Sequence, residues 1–156
     1  MNAITRETER QRVQAELDAG ETAAERNRLG QYATPFDLAL DVLRYAERLL
    51  PAETEVSFLD PGFGTGVFCS ALLSTFSSKR IAGADGFEFD RHYWEPAAEL
   101  WRDSTLVIHG RDFTKVSPPE ALGGRGNLRR LRMCDRIGKR STEKSGPKSP
   151  TNAQSR

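Results

Sequence analysis

The residues of this chain best suited to chemistry begin with three glycines at alternate positions, Gly62, Gly64 and Gly66. They follow Asp60 and a short apolar run, and another apolar segment comes directly after them, so the pattern predicts a strand that turns sharply into a helix. Glycine lets a ligand approach the backbone closely, and the first N–H groups of a helix favour an anionic group. We therefore expect a small ligand to bind at this turn.

Acidic side chains follow the next two predicted strands. Glu88 lies 22 residues beyond Gly66, a spacing typical of a carboxylate that accepts hydrogen bonds from both hydroxyls of a ribose. Asp85 is the alternative, because a strand that ends three residues earlier puts its carboxylate in the same place. Asp112 precedes Phe113, and a carboxylate beside an aromatic ring suits an adenine, although a simple turn residue is an equally good interpretation.

The elements that must position these residues alternate between strand and helix. Apolar runs predict strands, and helical spacing of apolar residues predicts the segments between them. Strands are expected at residues 56–59, 81–87 and 105–109, and helices at residues 35–50, 66–76 and 93–101. This alternation predicts an α/β fold with a parallel sheet, in which the ends of successive strands can reach one ligand.

The first helix of this series has clear start signals. Thr34 is expected to cap it, with Pro35 as its first residue and Asp37 as the carboxylate of a capping box. Its predicted apolar face consists of Leu38, Val42, Tyr45, Ala46 and Leu49.

Residues 1–29 are rich in Glu, Arg, Gln and Ala and are predicted to form one charged N-terminal helix. Its few large apolar groups are Ile4, Val13, Leu17 and Leu29. We expect a solvated helix packed on the edge of the domain, with a partner-binding or DNA-facing arm as the alternative.

The composition indicates one domain of ordinary size, with 156 residues of which 29% are charged. No apolar run approaches the roughly 20 residues that a membrane span requires, and we expect a cytoplasmic protein with no membrane partner. Cys69 and Cys134 lie far apart without the spacing of metal ligands. We expect no disulfide and no metal site, and a reduced, buried thiol at Cys69.

The charge of the chain is unevenly distributed. Residues 1–120 contain 13 basic and 20 acidic residues, a net charge of −7, whereas residues 121–156 contain 10 and 2, a net charge of +8. Only eight of these last 36 residues are Ala, Leu, Ile, Met or Cys, too few to bury a core. We expect residues 119–156 to be a basic, disordered tail, with a phosphate-contacting tail as the milder alternative.

Four motifs in order resemble the N-terminal half of an adenine-specific (N6) DNA methyltransferase that uses S-adenosylmethionine. They are Gly30-Gln31-Tyr32-Ala33-Thr34-Pro35, then Phe58-Leu59-Asp60-Pro61-Gly62-Phe63-Gly64-Thr65-Gly66-Val67-Phe68, then Gly86-Phe87-Glu88-Phe89-Asp90, then Asp112-Phe113. The resemblance covers about residues 28–114. It implies a partial Rossmann-like methyltransferase fold, a cofactor-binding half-domain at residues 30–118, and DNA as the partner of the complete enzyme.

The resemblance also implies a role for each motif residue. Tyr32, Thr34 and Pro35 would border the methionine end of the cofactor, and Asp60 and the three glycines would wrap its amino-acid portion. Glu88 would hold the ribose. Asp112 would bond the adenine amine, with Phe113 packing nearby.

The chain departs from this family at the catalytic loop. In the family, that loop has Pro-Pro and an aromatic residue and follows a fourth strand. The stretch 117–120, Ser-Pro-Pro-Glu, imitates that loop, but no strand precedes it and Glu120 cannot stack on a base. We hypothesise that the tail from about Gly123 is a frameshift or truncation product, so the chain is inactive alone and no catalytic residue is assigned. The alternatives are a cofactor-binding subunit that needs a complementing chain, or a methyltransferase with another substrate.

Overall fold

The computed structural model describes residues 3–116 as five helices and three strands. The helices are α1 (Ala3–Ala19), α2 (Ala23–Leu29), α3 (Phe36–Arg48), α4 (Val67–Thr75) and α5 (Arg91–Trp101), and the strands are β1 (Val56–Asp60), β2 (Ile81–Phe87) and β3 (Leu106–His109). The predicted tail at 119–156, Cys134 and the stretch 117–120 lie outside the described residues. Within residues 3–116, no helix is both long and apolar enough to cross a membrane.

The three strands form one parallel sheet in the order β1-β2-β3. Phe58 of β1 lies opposite Ala84 of β2, which lies opposite Leu106 of β3. The prediction of an α/β fold with a three-stranded parallel sheet and flanking helices is confirmed, and each strand begins and ends within one residue of its predicted bounds. The carboxyl ends of all three strands consequently lie at one edge of the sheet.

The core joins the sheet to α3, α4 and α5. Phe58 and Leu72 are buried in it, and Trp101 at the end of α5 is its largest fully buried side chain. Cys69 of α4 is a free, buried thiol, as predicted. Burial raises the pKa of the Cys69 thiol to about 12, so this sulfur stays protonated and unreactive.

The start of α3 and its core-facing side differ from the prediction. The helix begins at Phe36 with Pro35 as its N-cap, no side chain caps it, and the predicted capping box of Thr34 and Asp37 is absent. Proline has no polar side chain to offer the first N–H groups, so its contribution is the fixed backbone angle. The buried residues are Ala39 and Leu43, whereas Leu38, Tyr45 and Leu49 of the predicted apolar face are exposed.

The N-terminal segment is two helices instead of one. The break falls at residues 20–22, where the Thr22 hydroxyl accepts from the Glu25 N–H and the Glu25 carboxylate accepts from the Thr22 N–H, forming a capping box. Helix α1 packs against the domain as expected, but it does so through Arg6, Glu7 and Arg10, which are buried, and not through Ile4, which is exposed. The three buried residues pack toward α4 and α5.

Candidate functional site

The carboxyl ends of the strands open into a cavity of about 540 Å³, a volume within the range of small-molecule sites. Its wall combines the glycine loop, the segment before α3, the ends of β2 and β3, and one residue from α1. Seven of the ten predicted site residues line it, namely Tyr32, Thr34, Gly62, Gly64, Glu88, Asp112 and Phe113. Pro35, Asp60 and Gly66 do not line it.

The three glycines of the loop are needed for two different reasons. At Gly62 and Gly64 an added Cβ would meet no atom within 4 Å, so the missing side chain leaves space for a ligand. Gly64 also has a φ of 52°, in the left-handed region. At Gly66 an added Cβ would overlap the Phe63 ring and lie 2.7 Å from Trp101 Nε1, so this glycine serves packing.

Sequence reasoning missed the role of Phe63 and its glycine partner on β2. The Phe63 ring is buried beneath the loop, in edge-to-face contact with Trp101 at 6.3 Å between ring centroids. A Cβ at Gly86 would overlap the same ring. The available signal was a glycine inside a strand, which often marks a close approach of another group.

Of the two candidate ribose ligands, Glu88 lines the cavity and Asp85 does not. One carboxylate oxygen of Glu88 accepts from the Gly64 N–H at 2.9 Å, and the other accepts from the Asp90 N–H at 2.9 Å. Asp85 instead lies 2.9 Å from His109 Nε2 across the β2–β3 pair. Glu88 therefore connects the end of β2 to the glycine loop.

Asp112 lines the cavity but also serves as the cap of a short turn. Its Oδ1 accepts from the Thr114 N–H at 2.9 Å and from the Thr114 hydroxyl at 2.7 Å. These hydrogen bonds, with a further one from Lys115, lower the pKa of Asp112, so it stays ionised. Phe113 meets Phe87 at 5.2 Å between ring centroids and closes the wall on that side.

The segment before α3 is tied to the site through Gln31. Its Nε2 donates to Asp90 Oδ2 at 2.6 Å, while its Oε1 is buried without a hydrogen-bond partner. Tyr32 next to it is exposed at the rim. A buried acceptor without a hydrogen-bond partner costs free energy, so a ligand that donates a hydrogen bond to Gln31 Oε1 would bind more tightly.

Asp60 lies behind the loop as a second unsatisfied acceptor. Its Oδ1 accepts from the Gly62 N–H at 3.2 Å, and its Oδ2 is buried without a partner. Burial raises the pKa of Asp60 to about 6, and the negative charge of Glu88 adds to this effect. Asp60 therefore stabilises the turn of the loop and does not reach the cavity surface.

The cavity is rich in acceptors and aromatic rings and poor in cations. Among the described residues that line it, Arg111 is the one with a basic side chain, against the carboxylates of Glu88 and Asp112. The apolar part of the wall includes Phe68, Phe87, Phe89 and Phe113. Within residues 3–116, no group of three His, Cys, Asp or Glu side chains is arranged to hold a metal ion.

Comparison with known proteins does not assign the chain to a family. No family model matches the sequence, and no solved structure matches the chain. The resemblance to DNA methyltransferases stays a prediction, supported by the residues quoted above and by their arrangement around one cavity.

Proposed function

We propose that residues 30–116 bind S-adenosylmethionine as the cofactor-binding part of a DNA adenine-N6 methyltransferase with a Rossmann-like fold. The observation that carries the proposal is the acidic wall of the cavity, in which the Glu88 carboxylate bonds to the Gly64 N–H of an open glycine loop. This arrangement favours a ligand that donates hydrogen bonds and carries positive charge.

The polarity of the cavity distinguishes S-adenosylmethionine from a phosphate-bearing nucleotide. S-adenosylmethionine offers an ammonium group, a sulfonium, two ribose hydroxyls and an adenine amine, all of which suit acceptors or anions. Its single carboxylate suits the N-terminus of α4, where no side chain caps the free N–H groups. The doubly charged pyrophosphate of a dinucleotide is less well suited, because the described residues of the cavity wall include the carboxylates of Glu88 and Asp112 against the single basic side chain of Arg111.

Each part of the cofactor has a matching part of the wall in this proposal. Glu88 holds the ribose, and Asp112 and Phe113 hold the adenine. Tyr32 and Thr34 border the methionine end, with Gly62 and Gly64 allowing close approach. Pro35, Asp60 and Gly66 act from behind the surface, through the start of α3, the bond to the Gly62 N–H and packing on Phe63.

Bound S-adenosylmethionine supplies an electrophilic methyl group, and its transfer to adenine requires further groups that grip a flipped base. Residues 3–116 contain no Pro-Pro-aromatic segment to do so. We propose that DNA is the substrate of the complete enzyme and that this chain alone transfers no methyl group.

A cofactor-binding subunit that requires a complementing chain is the second candidate. The exposed apolar residues Leu38 and Tyr45 of α3 and Leu49 at its C-cap favour it, because an apolar surface aligned along one helix commonly marks a contact with another protein.

Calorimetric titration with S-adenosylmethionine tests the cofactor assignment. Glu88→Ala should weaken binding at least about tenfold, a loss of about 1.4 kcal/mol, because the ribose loses its acceptor and the loop loses its bond. Asp85→Ala, three residues earlier on β2, is the matched control and should change affinity less than about twofold. NAD, which carries a pyrophosphate, should not compete.

Three outcomes would overturn parts of the proposal. Absence of S-adenosylmethionine binding to the wild-type chain would exclude the cofactor, and equal losses from the two variants would exclude Glu88 as the ribose ligand. Transfer of a labelled methyl group to DNA by this chain alone would show that the catalytic groups lie within it.

A further inference from the structure

The inward face of α1 combines apolar side chains at its ends with charged side chains at its centre. Residues that recur every three or four positions along the helix are buried or half-buried, namely Ala3, Arg6, Glu7, Arg10, Val13, Gln14 and Leu17. Arg6, Glu7 and Arg10 are the most buried of these. Charged side chains are seldom buried without a specific set of partners, so these partners define what the helix does.

Arg10 connects α1 to the middle of the glycine loop. Its Nε and Nη2 donate to the two carboxylate oxygens of Glu7, at 2.8 and 2.7 Å. Its remaining terminal nitrogen, Nη1, donates to the Thr65 hydroxyl at 3.0 Å. Burial would raise the pKa of Glu7, but hydrogen bonds from Arg10 and Ser70 outweigh it and lower that pKa, so the pair stays ionised.

Thr65, between Gly64 and Gly66, is held on both sides. Its hydroxyl donates to Gln14 Oε1 at 2.7 Å, and its carbonyl accepts from Trp101 Nε1 at 2.9 Å. Thr65 is only 2% exposed, and Gln14 itself lines the cavity. The loop therefore has a fixed centre between two positions that are free of side chains.

A fixed centre matters because glycine loses more backbone entropy on ordering than any other residue. A loop that is ordered before binding spares the ligand that cost, which increases affinity without adding a contact to the ligand. The Glu7–Arg10 pair is itself weak support for stability, since burying both charges offsets most of their attraction. The geometry of the pair instead directs the third guanidinium nitrogen of Arg10, Nη1, toward Thr65.

We propose that Arg10 and Gln14 of α1 are positioning residues of the ligand site, which hold Thr65 so that the glycine loop is preformed. The identity of the ligand, S-adenosylmethionine, rests on the function proposed above. The positioning itself concerns the ligand-free protein and has its own measurement.

Hydrogen exchange of the loop amides in the ligand-free chain tests the positioning directly. Thr65→Val removes the hydroxyl at nearly constant volume, and Thr65→Ser retains it. Exchange at residues 62–67 should accelerate about tenfold or more in Thr65→Val and in Arg10→Met, and should stay near wild type in Thr65→Ser. Arg12→Met is the matched control, because Arg12 lies on the same helix with its exposed partners Glu9 and Glu16.

The affinity for S-adenosylmethionine is measured under conditions in which each variant is fully folded. Variants whose loop amides exchange faster should bind it more weakly. Arg10→Met and Thr65→Val should each bind about tenfold more weakly. The double variant should bind no more weakly than Thr65→Val alone, because Thr65→Val already removes the hydrogen bond from Arg10, together with the one to Gln14. Arg12→Met and Thr65→Ser should bind within about twofold of wild type.

Lower stability with unchanged loop exchange in Thr65→Val and Arg10→Met would overturn the proposal and leave α1 a purely structural element. If Arg10→Met does not fold, the comparison of Thr65→Val with Thr65→Ser decides the question. If the wild-type chain binds no S-adenosylmethionine, the proposed function fails, and the exchange rates still decide the positioning.

Discussion

Helices α1 and α3 differ in the kind of side chain that they bury, because α1 buries charged residues whereas α3 buries apolar ones and leaves other apolar residues exposed. In α1, the charged Glu7 and Arg10 are 7% and 4% exposed, whereas the apolar Ile4 is 81% exposed. In α3, Leu38 is 54% exposed and Tyr45 is 62% exposed. The difference lies in what each helix packs against.

Helix α1 packs against α4, α5 and the loop before α4, where it meets a hydroxyl and an aromatic face that suit cationic side chains. Arg10 satisfies Thr65, and Arg6 lies over the Trp101 ring at 5.3 Å from its centroid. Helix α3 packs against α4, and its buried side chains, Ala39 and Leu43, are apolar and need no hydrogen bonds. Burial is therefore decided by the neighbouring surface, and residue type alone does not determine it.

The largest expected effect comes from breaking the buried pair on α1. Glu7→Ala leaves Arg10 buried without its carboxylate and should lower the free energy of unfolding by about 3–5 kcal/mol, as measured by urea denaturation. Glu9→Ala, which removes an exposed partner of Arg12 on the same helix, should cost about 1 kcal/mol or less. Equal losses would mean that the charges of α1 are solvated after all.

Two leucines of α3, one buried and one exposed, test the apolar packing of that helix. Leu43→Ala removes a buried side chain of α3 and should cost about 2–5 kcal/mol of unfolding free energy, including the cavity left behind. Leu38→Ala, five residues earlier, should cost about 0.5 kcal/mol or less. A large loss from Leu38→Ala would indicate that this face is covered in solution.

Much of the fold follows from the sequence because the sheet obeys simple rules. The apolar run that includes Phe58 predicts β1, and the alternation with helices predicts the parallel order. The same rules place Glu88 and Asp112 at one edge, and both line the cavity. Helical spacing of apolar residues predicted the core-facing side of α3 only in part, because Val42 packs against the core whereas Leu38 and Tyr45 are exposed.

The contribution of α1 to the site could not be predicted, because it depends on contacts between residues about 55 positions apart. Helical spacing of Arg6, Glu7, Arg10 and Gln14 was present in the sequence, but polar residues at that spacing normally indicate a solvated face. The division among the glycines was equally hidden, since Gly66 differs from Gly62 by its φ of 90° and by the Phe63 and Trp101 rings packed against it, and both features arise only in the folded chain.

Asp60 is a buried carboxylate that has no cation beside it among the described residues, unlike Glu7, which is paired with Arg10. Asp60 has a pKa of about 6 in the folded chain against an ordinary 3.8, so its ionisation destabilises the fold. This cost is absent below pH about 4, develops as the pH rises, and is complete above about 6, where it amounts to about 3 kcal/mol.

Asp60→Asn retains an oxygen acceptor for the Gly62 N–H and removes the charge. Its stability relative to wild type should therefore improve by about 2–3 kcal/mol between pH 4 and pH 8, as measured by urea denaturation at each pH. Any constant cost of the new amide cancels in this difference. A gap that does not change with pH would show that Asp60 ionises as readily in the folded as in the unfolded chain.

The smallest effect on stability is expected on the outer face of α3. A triple variant replaces three exposed apolar side chains by lysine, namely Leu38→Lys, Tyr45→Lys and Leu49→Lys. Each substitution should change the unfolding free energy by about 0.5 kcal/mol or less. The same triple variant should remain monodisperse at higher concentration by light scattering, because an aligned apolar surface promotes association. Among residues 3–116 no strand pairs with the outer edge of β1, and this edge is unchanged in the variant, so any association that remains is expected there. Strong destabilisation by these three lysines would show that α3, like α1, is covered by a partner surface in the folded protein, and the contrast between the two helices would then disappear.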